Sequence, residues 1–207
     1  MLAGLSIADI VMVAGIILVS ITAHEVMHAF VAHKLGDSTA LEEGRLTLNP
    51  LRHVDIFLTV LLPVVLLILH LPPIFIAKPV PINPERVKYE EFGTALIGIA
   101  GPLTNLVLAT VVALILHVFN LGIIVNKFLE LFVYINIVFF VFNMIPFPPL
   151  DGSRLVYAFA PDSMRRVMLA IESAGMIALI VFVLLLLPLI GPVISNVTKT
   201  IFIFLLR

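Results

Sequence analysis

The chain has 207 residues, 61% hydrophobic and 12% charged, with a formal net charge of −1. An average soluble domain carries about twice that share of charge, so an ordinary soluble fold is excluded. With no basic patch a nucleic-acid partner is excluded too. There is no Cys, hence no disulfide, thiol catalysis or thiolate metal site. Mean hydropathy is +1.21, and several apolar runs approach or exceed the roughly 20 residues that cross a bilayer. The expectation is an all-α polytopic membrane protein: a helical bundle with short β-strand and re-entrant elements. It forms a single membrane-embedded domain over residues 1–207, with a core of about 7–155 and C-terminal helices of about 165–207.

The first apolar run predicts a helix from about Ile7 to Leu35, stopped by Gly36-Asp37. Near its end stands His24-Glu25-Val26-Met27-His28, the pattern H-E-x-x-H. Histidines four apart share one helix face. Two neutral imidazoles so placed reach one zinc ion, and the adjacent Glu25 is placed to act as a base on water. Two histidines without a metal is the bland alternative. A carboxylate flanked by imidazoles at membrane depth is expensive, however, and marks a functional site. This run has to be retained, so no cleavable signal peptide is expected.

Arg45, Thr47 and Asn49 alternate with Leu46 and Leu48, a short strand pattern. The next run, Ile56 to Ile76, is interrupted by Pro63, His70, Pro72 and Pro73. It leaves about 15 residues of clean helix, short for a span. Residues 77–84 hold three prolines and are extended by necessity. A charged patch, Glu85 to Glu91, leads into a helix over Phe92–Phe119, whose early Gly93, Gly98 and Gly101-Pro102 permit close backbone approach. Asn120 to Lys127 reads as a turn and Phe128 to about Met144 as a helix. Arg154 to Arg166 reads as a surface segment. Met168–Leu187 and Pro192–Leu206 are two more apolar runs, joined by Pro188 to Gly191. With no Trp, the interfacial belt falls to Tyr89, Tyr134, Tyr157 and Phe.

A catalytic zinc takes three protein ligands and keeps one open position. His33 lies half a turn off the His24 face, and His70 and His117 stand alone near the ends of apolar runs. Glu130 suits a helix start for dipole reasons. His53 and Asp55 occupy a loop. Asp151 follows a Pro-rich run and precedes Gly152. An isolated Asp-Gly is ordinarily a turn, but beside the histidine motif it becomes the preferred third ligand, with His53 and Asp55 as alternatives.

Together, His24-Glu25-Val26-Met27-His28, Ala100-Gly101-Pro102-Leu103-Thr104-Asn105 and the stretch Asn143-Met144-Ile145-Pro146-Phe147-Pro148-Pro149-Leu150-Asp151-Gly152 resemble the three signatures of the site-2 protease family of intramembrane zinc metalloproteases. Gly44-Arg45-Leu46-Thr47-Leu48-Asn49-Pro50 and Ala77-Lys78-Pro79-Val80-Pro81 resemble a compact prokaryotic branch of it that lacks a PDZ domain. The resemblance covers about residues 20–155. Val26-Met27 departs from the bulky-small pair common in the family, but those side chains need not touch zinc. The resemblance implies one zinc per chain, held by His24, His28 and Asp151, with Glu25 as general base. It implies a substrate that is a transmembrane segment of another protein, cut in regulated intramembrane proteolysis. Asn143 is a candidate to bind substrate backbone or oxyanion, with a helix cap as its bland alternative. A helical substrate must unwind to be cut, and edges around Arg45–Asn49 or Val80–Asn83 are candidates to hold it by β-augmentation.

Two other readings compete. One is a catalytically silent zinc protein that binds a partner helix. The other is an ion or proton transporter, which paired inverted repeats would favour; none is seen. For topology, one zinc must meet ligands near the end of the first helix and after the Phe128–Met144 helix, so both ends face one side. That requires residues 56–76 to re-enter rather than cross. Lys34, Arg45, Arg52, Lys78, Arg86, Lys88, Arg154, Arg165 and Arg166 then share a side, with Lys127 in a loop opposite. The positive-inside rule makes the shared side cytoplasmic. The expectation is a multi-pass protein of a prokaryotic plasma membrane with four full spans, one re-entrant element and a site toward the cytoplasm. Nothing in the sequence indicates an oligomeric state.

Overall fold

The computed structural model describes residues 6–68 and 77–207. They form two compact units, Met1–Val87 and Lys88–Arg207.

In the first unit, α1 spans Ile7–Lys34. Ser6 caps it reciprocally with Asp9: Asp9 N–H donates to Ser6 Oγ (3.1 Å) and Ser6 N–H to Asp9 Oδ2 (2.9 Å). A short α2, Thr39–Glu42, follows. Asp37, fully buried between them, accepts from Thr39 N–H (3.0 Å) and, across the unit, from Asn83 N–H (2.7 Å). Burial pushes its carboxyl pKa up, but bonds from Thr39 and Asn83 and the Arg86 charge outweigh that and hold it below the usual range. Asp55 starts the next helix by accepting from Phe57 N–H (2.8 Å). That helix is π-like over Ile56–Leu61 and becomes α3 over Leu62–Ile68. The remainder of the run, with His70, Pro72 and Pro73, lies outside the described residues, and with it the expected turn of the re-entrant element.

The second unit holds α4 (Glu90–Val118), α5 (Ile123–Asn143), α6 (Gly152–Phe159), α7 (Asp162–Ser173), α8 (Met176–Val181) and α9 (Leu187–Leu206). Small residues on α4 let its neighbours close in. Ala109 and Ala113 are buried against Val133 and Ile137 of α5, with Ile201, Phe202 and Leu205 of α9 packed around them. A buried polar bond also crosses from α4 to α5: Asn105 Nδ2 donates to Asn136 Oδ1 (2.9 Å), and Asn136 Nδ2 donates to the Phe132 carbonyl (2.9 Å). Such a bond between membrane helices is worth about 0.6–2 kcal/mol.

Among the described residues, four helical stretches are long and apolar enough to cross a membrane: Ala8–Lys34, Glu90–Val118, Ile123–Asn143 and Ile177–Leu206. The all-α polytopic expectation holds, with three corrections. First, Arg45–Asn49 is a series of bends, and no strand occurs among the described residues. The Arg45 side chain points inward to backbone carbonyls, and facing residues 77–83 include Pro79 and Pro81, which cannot donate to a ladder. Second, α5 begins at Ile123, not Phe128. Gly122, at φ 87°, makes the break, and Asn126 and Lys127 lie within the helix. Third, the first C-terminal run is divided at Ala174-Gly175, its start belonging to α7, and from Ile177 on the two runs are one continuous helical stretch, Ile177–Leu206. Pro188 sits in the first turn of α9, where no N–H is needed, and a π segment over Phe182–Leu186 precedes it.

Candidate metal centre

Six residues from the end of α1, the four-residue spacing of His24 and His28 puts both imidazoles on one face. Both are buried, at 7% and 6% exposure. Their Nε2 atoms are 3.0 Å apart and their rings lie at 79°. Nitrogens each 2.0–2.1 Å from one tetrahedral zinc sit about 3.3 Å from one another, so the pair fits a shared ion. Between them Glu25 accepts a hydrogen bond at Oε2 from Val80 N–H (3.2 Å).

That donor belongs to residues 77–83, which run as an extended strap. Lys78 N–H donates to the His53 carbonyl (2.9 Å). Arg45 Nη2 donates to the carbonyls of Lys78 (2.5 Å) and Pro79 (3.2 Å), and Nη1 donates to that of Arg52. Val80 packs with Ala29 of α1, Ala40 of α2, Leu46 and Ile82. The sequence reading missed Arg45, taking it as the polar face of a strand. Arg45 is 5% exposed, and nothing in its local pattern signals that burial.

Asp151, half-buried, precedes α6 at the end of a run containing a cis Pro148–Pro149 bond. Close backbone approach makes Gly152 necessary. A Cβ there would lie 2.5 Å from the Met144 carbonyl carbon and oxygen and 2.8 Å from the Ile145 oxygen. On the other flank, a Cβ on Gly98 of α4 would meet Arg154 Cβ at 2.7 Å and the Asp151 oxygen at 3.0 Å. Gly152 and Gly98 of α4 thus serve one purpose, seating the Asp151 turn. Gly152→Ala is expected to cost about 1–3 kcal/mol by overpacking and to lower the thermal midpoint in detergent. An unchanged midpoint would show that the turn can yield.

Asn143 is the last residue of α5 and donates through Nδ2 to the Phe139 carbonyl (3.1 Å). The other candidate ligands have local roles. His33 Nδ1 pairs with Ser38 Oγ (3.1 Å), His117 Nδ1 with the Ala113 carbonyl (2.8 Å), and fully buried His53 through Nε2 with the Thr47 carbonyl (2.8 Å). Glu130 is exposed.

The family model described as "Peptidase family M50" matches residues 117–188, the stretch that contains Asn143, Asp151 and Gly152. The chain is 36% identical over 174 residues to the Bacillus subtilis (strain 168) protein named "Putative zinc metalloprotease YwhC", covering 80% of this chain and 76% of the relative. This chain belongs to peptidase family M50, the site-2 protease family. It is also 32% identical over 180 residues to "Putative zinc metalloprotease Rip2" of Mycolicibacterium smegmatis, covering 83% of this chain and 65% of that protein. No solved structure matches. Membership of M50 and the four apolar helices together make the chain a multi-pass membrane protein.

Proposed function

We propose that this M50 member is an intramembrane zinc metalloprotease that hydrolyses peptide bonds in or near transmembrane segments of other membrane proteins, in regulated intramembrane proteolysis. The observation that carries the reading is the buried His24–His28 pair in a membrane-length helix, with the Glu25 carboxylate held beside it. His24, His28 and Asp151 each offer one ligand atom of a type zinc accepts, and we assign them as its ligands in a single working domain. Zinc, when bound, supplies Lewis acidity that makes water a nucleophile at neutral pH and polarises the scissile carbonyl. Glu25 takes the proton from that water at a carboxylate oxygen and returns it to the leaving amine. An amide carries two N–H donors; Asn143 engages one with Phe139, and we assign the other to the substrate backbone or oxyanion. Comparing the membrane proteome of cells with wild-type protein and with Glu25→Gln tests the reading. It requires at least one membrane protein that is cut only with the wild type.

The same reading fixes a topology in a prokaryotic plasma membrane. One zinc needs its ligands on one side. Because α4 and α5 cross and return, residues 35–89 must begin and end on that side. Pro72 and Pro73, which interrupt the apolar run in the sequence, support an element that enters and turns back, and the positive-inside rule makes this side cytoplasmic. Single Cys residues placed at Ser38, Asn83, Asn120 and Ser163 in this Cys-free chain are expected to divide cleanly. An impermeant thiol reagent added outside should reach Asn120→Cys alone. Outside labelling of Asn83→Cys would sink the re-entrant topology.

A further inference from the structure

We propose that Arg45 is a positioning residue for Glu25, acting through a single peptide group of the strap. The Pro79 carbonyl and the Val80 N–H belong to one planar unit and point in opposite directions. Arg45 Nη2 holds the oxygen end (3.2 Å) and Glu25 Oε2 accepts from the hydrogen end (3.2 Å). A cation at the oxygen and a carboxylate at the hydrogen lie favourably along the peptide dipole, and bonds in such a chain polarise one another. Arg45 therefore fixes the plane of the peptide and strengthens the donor that orients Glu25.

Arg45 is spent on the strap and the loop beside it. A buried guanidinium costs free energy unless its donors are used, and Nη1 and Nη2 donate to three backbone carbonyls, of Arg52, Lys78 and Pro79. The strap is not a free edge for an added substrate strand either. Lys78, Val80 and Asn83 turn their N–H groups to His53, Glu25 and Asp37, and Pro79 and Pro81 have none. Of the two edges considered from sequence, this one is occupied by the chain itself.

The proposal rests on Glu25 being the general base. Its test is Val80→Pro, which removes the one N–H and sets the ring's Cδ where the hydrogen stood, so that Glu25 must give up this contact. A residue before Pro81 already favours the extended backbone that proline adopts, and the ring can replace the buried valine. Val80→Pro is expected to keep zinc and leave KM within about twofold, while kcat falls about tenfold to a hundredfold. Arg45→Ala is expected to do the same. The double variant should fall no further than the worse single, because both act through one peptide. Arg45→Lys should recover only part of the loss, since an ammonium cannot reproduce the guanidinium fork. Full kcat in Val80→Pro overturns the proposal, and so do multiplied losses in the double variant. A loss confined to KM also overturns it, because the strap would then be binding substrate. If Arg45→Ala does not fold, Val80→Pro decides alone. If Glu25→Gln is inactive while Val80→Pro is fully active, only the positioning role fails. If Glu25→Gln retains turnover, the base assignment itself has failed.

Discussion

Glu25→Gln is expected to retain zinc and lose turnover by about 10²–10⁴-fold. The substitution is nearly isosteric. The new side chain keeps a carbonyl oxygen that can accept from Val80 N–H, so the contact between α1 and the strap survives. What disappears is the capacity to take a proton. The loss should therefore fall on kcat, with zinc content and KM close to wild type. Turnover within a few-fold of wild type would place the base on another residue, and the bond from Val80 would then be structural only.

Removing a ligand should act earlier, at the metal itself. Wild-type protein is expected to carry about one zinc per chain. His24→Ala, His28→Ala and Asp151→Ala should each abolish stoichiometric zinc together with all cleavage. For the histidines the physical reason is direct: their Nε2 atoms sit 3.0 Å apart, and deleting one leaves the other unable to hold the ion alone. Asp151→Ala is the more searching variant. If it keeps both zinc and activity, the third ligand is elsewhere and Asp55 is one alternative. His53 is the other alternative, with its Nε2 engaged by the Thr47 carbonyl as Asp55 is by Phe57 N–H.

The helices were legible because their signals are local. An apolar run of sufficient length and the Gly36 stop act within one turn of where they stand; the Ser6–Asp9 cap and the Gly122 break are equally local but went unread, so α5 was expected to start at Phe128 and not at Ile123. The histidine pair was legible for the same reason, since one helix carries both rings. Features that depend on partners distant in sequence were not. Arg45–Asn49 alternates like a strand, but a strand needs an edge to pair with, and the neighbouring strap carries prolines where donors would be required. Asn136 is a polar residue within a long apolar helix. Its meaning, a bond to Asn105 thirty-one residues earlier, appears only when α4 and α5 are brought together. A lone Asn at membrane depth is itself a sign of such a partner and was there to be used. Pro188 and Pro192 misled in the opposite sense. Each reads locally as a break, yet the stretch Ile177–Leu206 stays continuous.

The seating of Asp151 has a consequence for how this chain tolerates change. Gly152 against Met144 and Ile145, and Gly98 against Asp151, are stops in which main-chain atoms take part. A stop of that kind has no rotamers to sample. The carboxylate's place is then insulated from what happens on the lipid-facing sides of the same helices, at residues such as Val107, Val111 and Leu114. Those positions are free to drift among apolar residues as the bilayer's thickness or fluidity differs from one cell to another, while the Asp151 turn keeps its place.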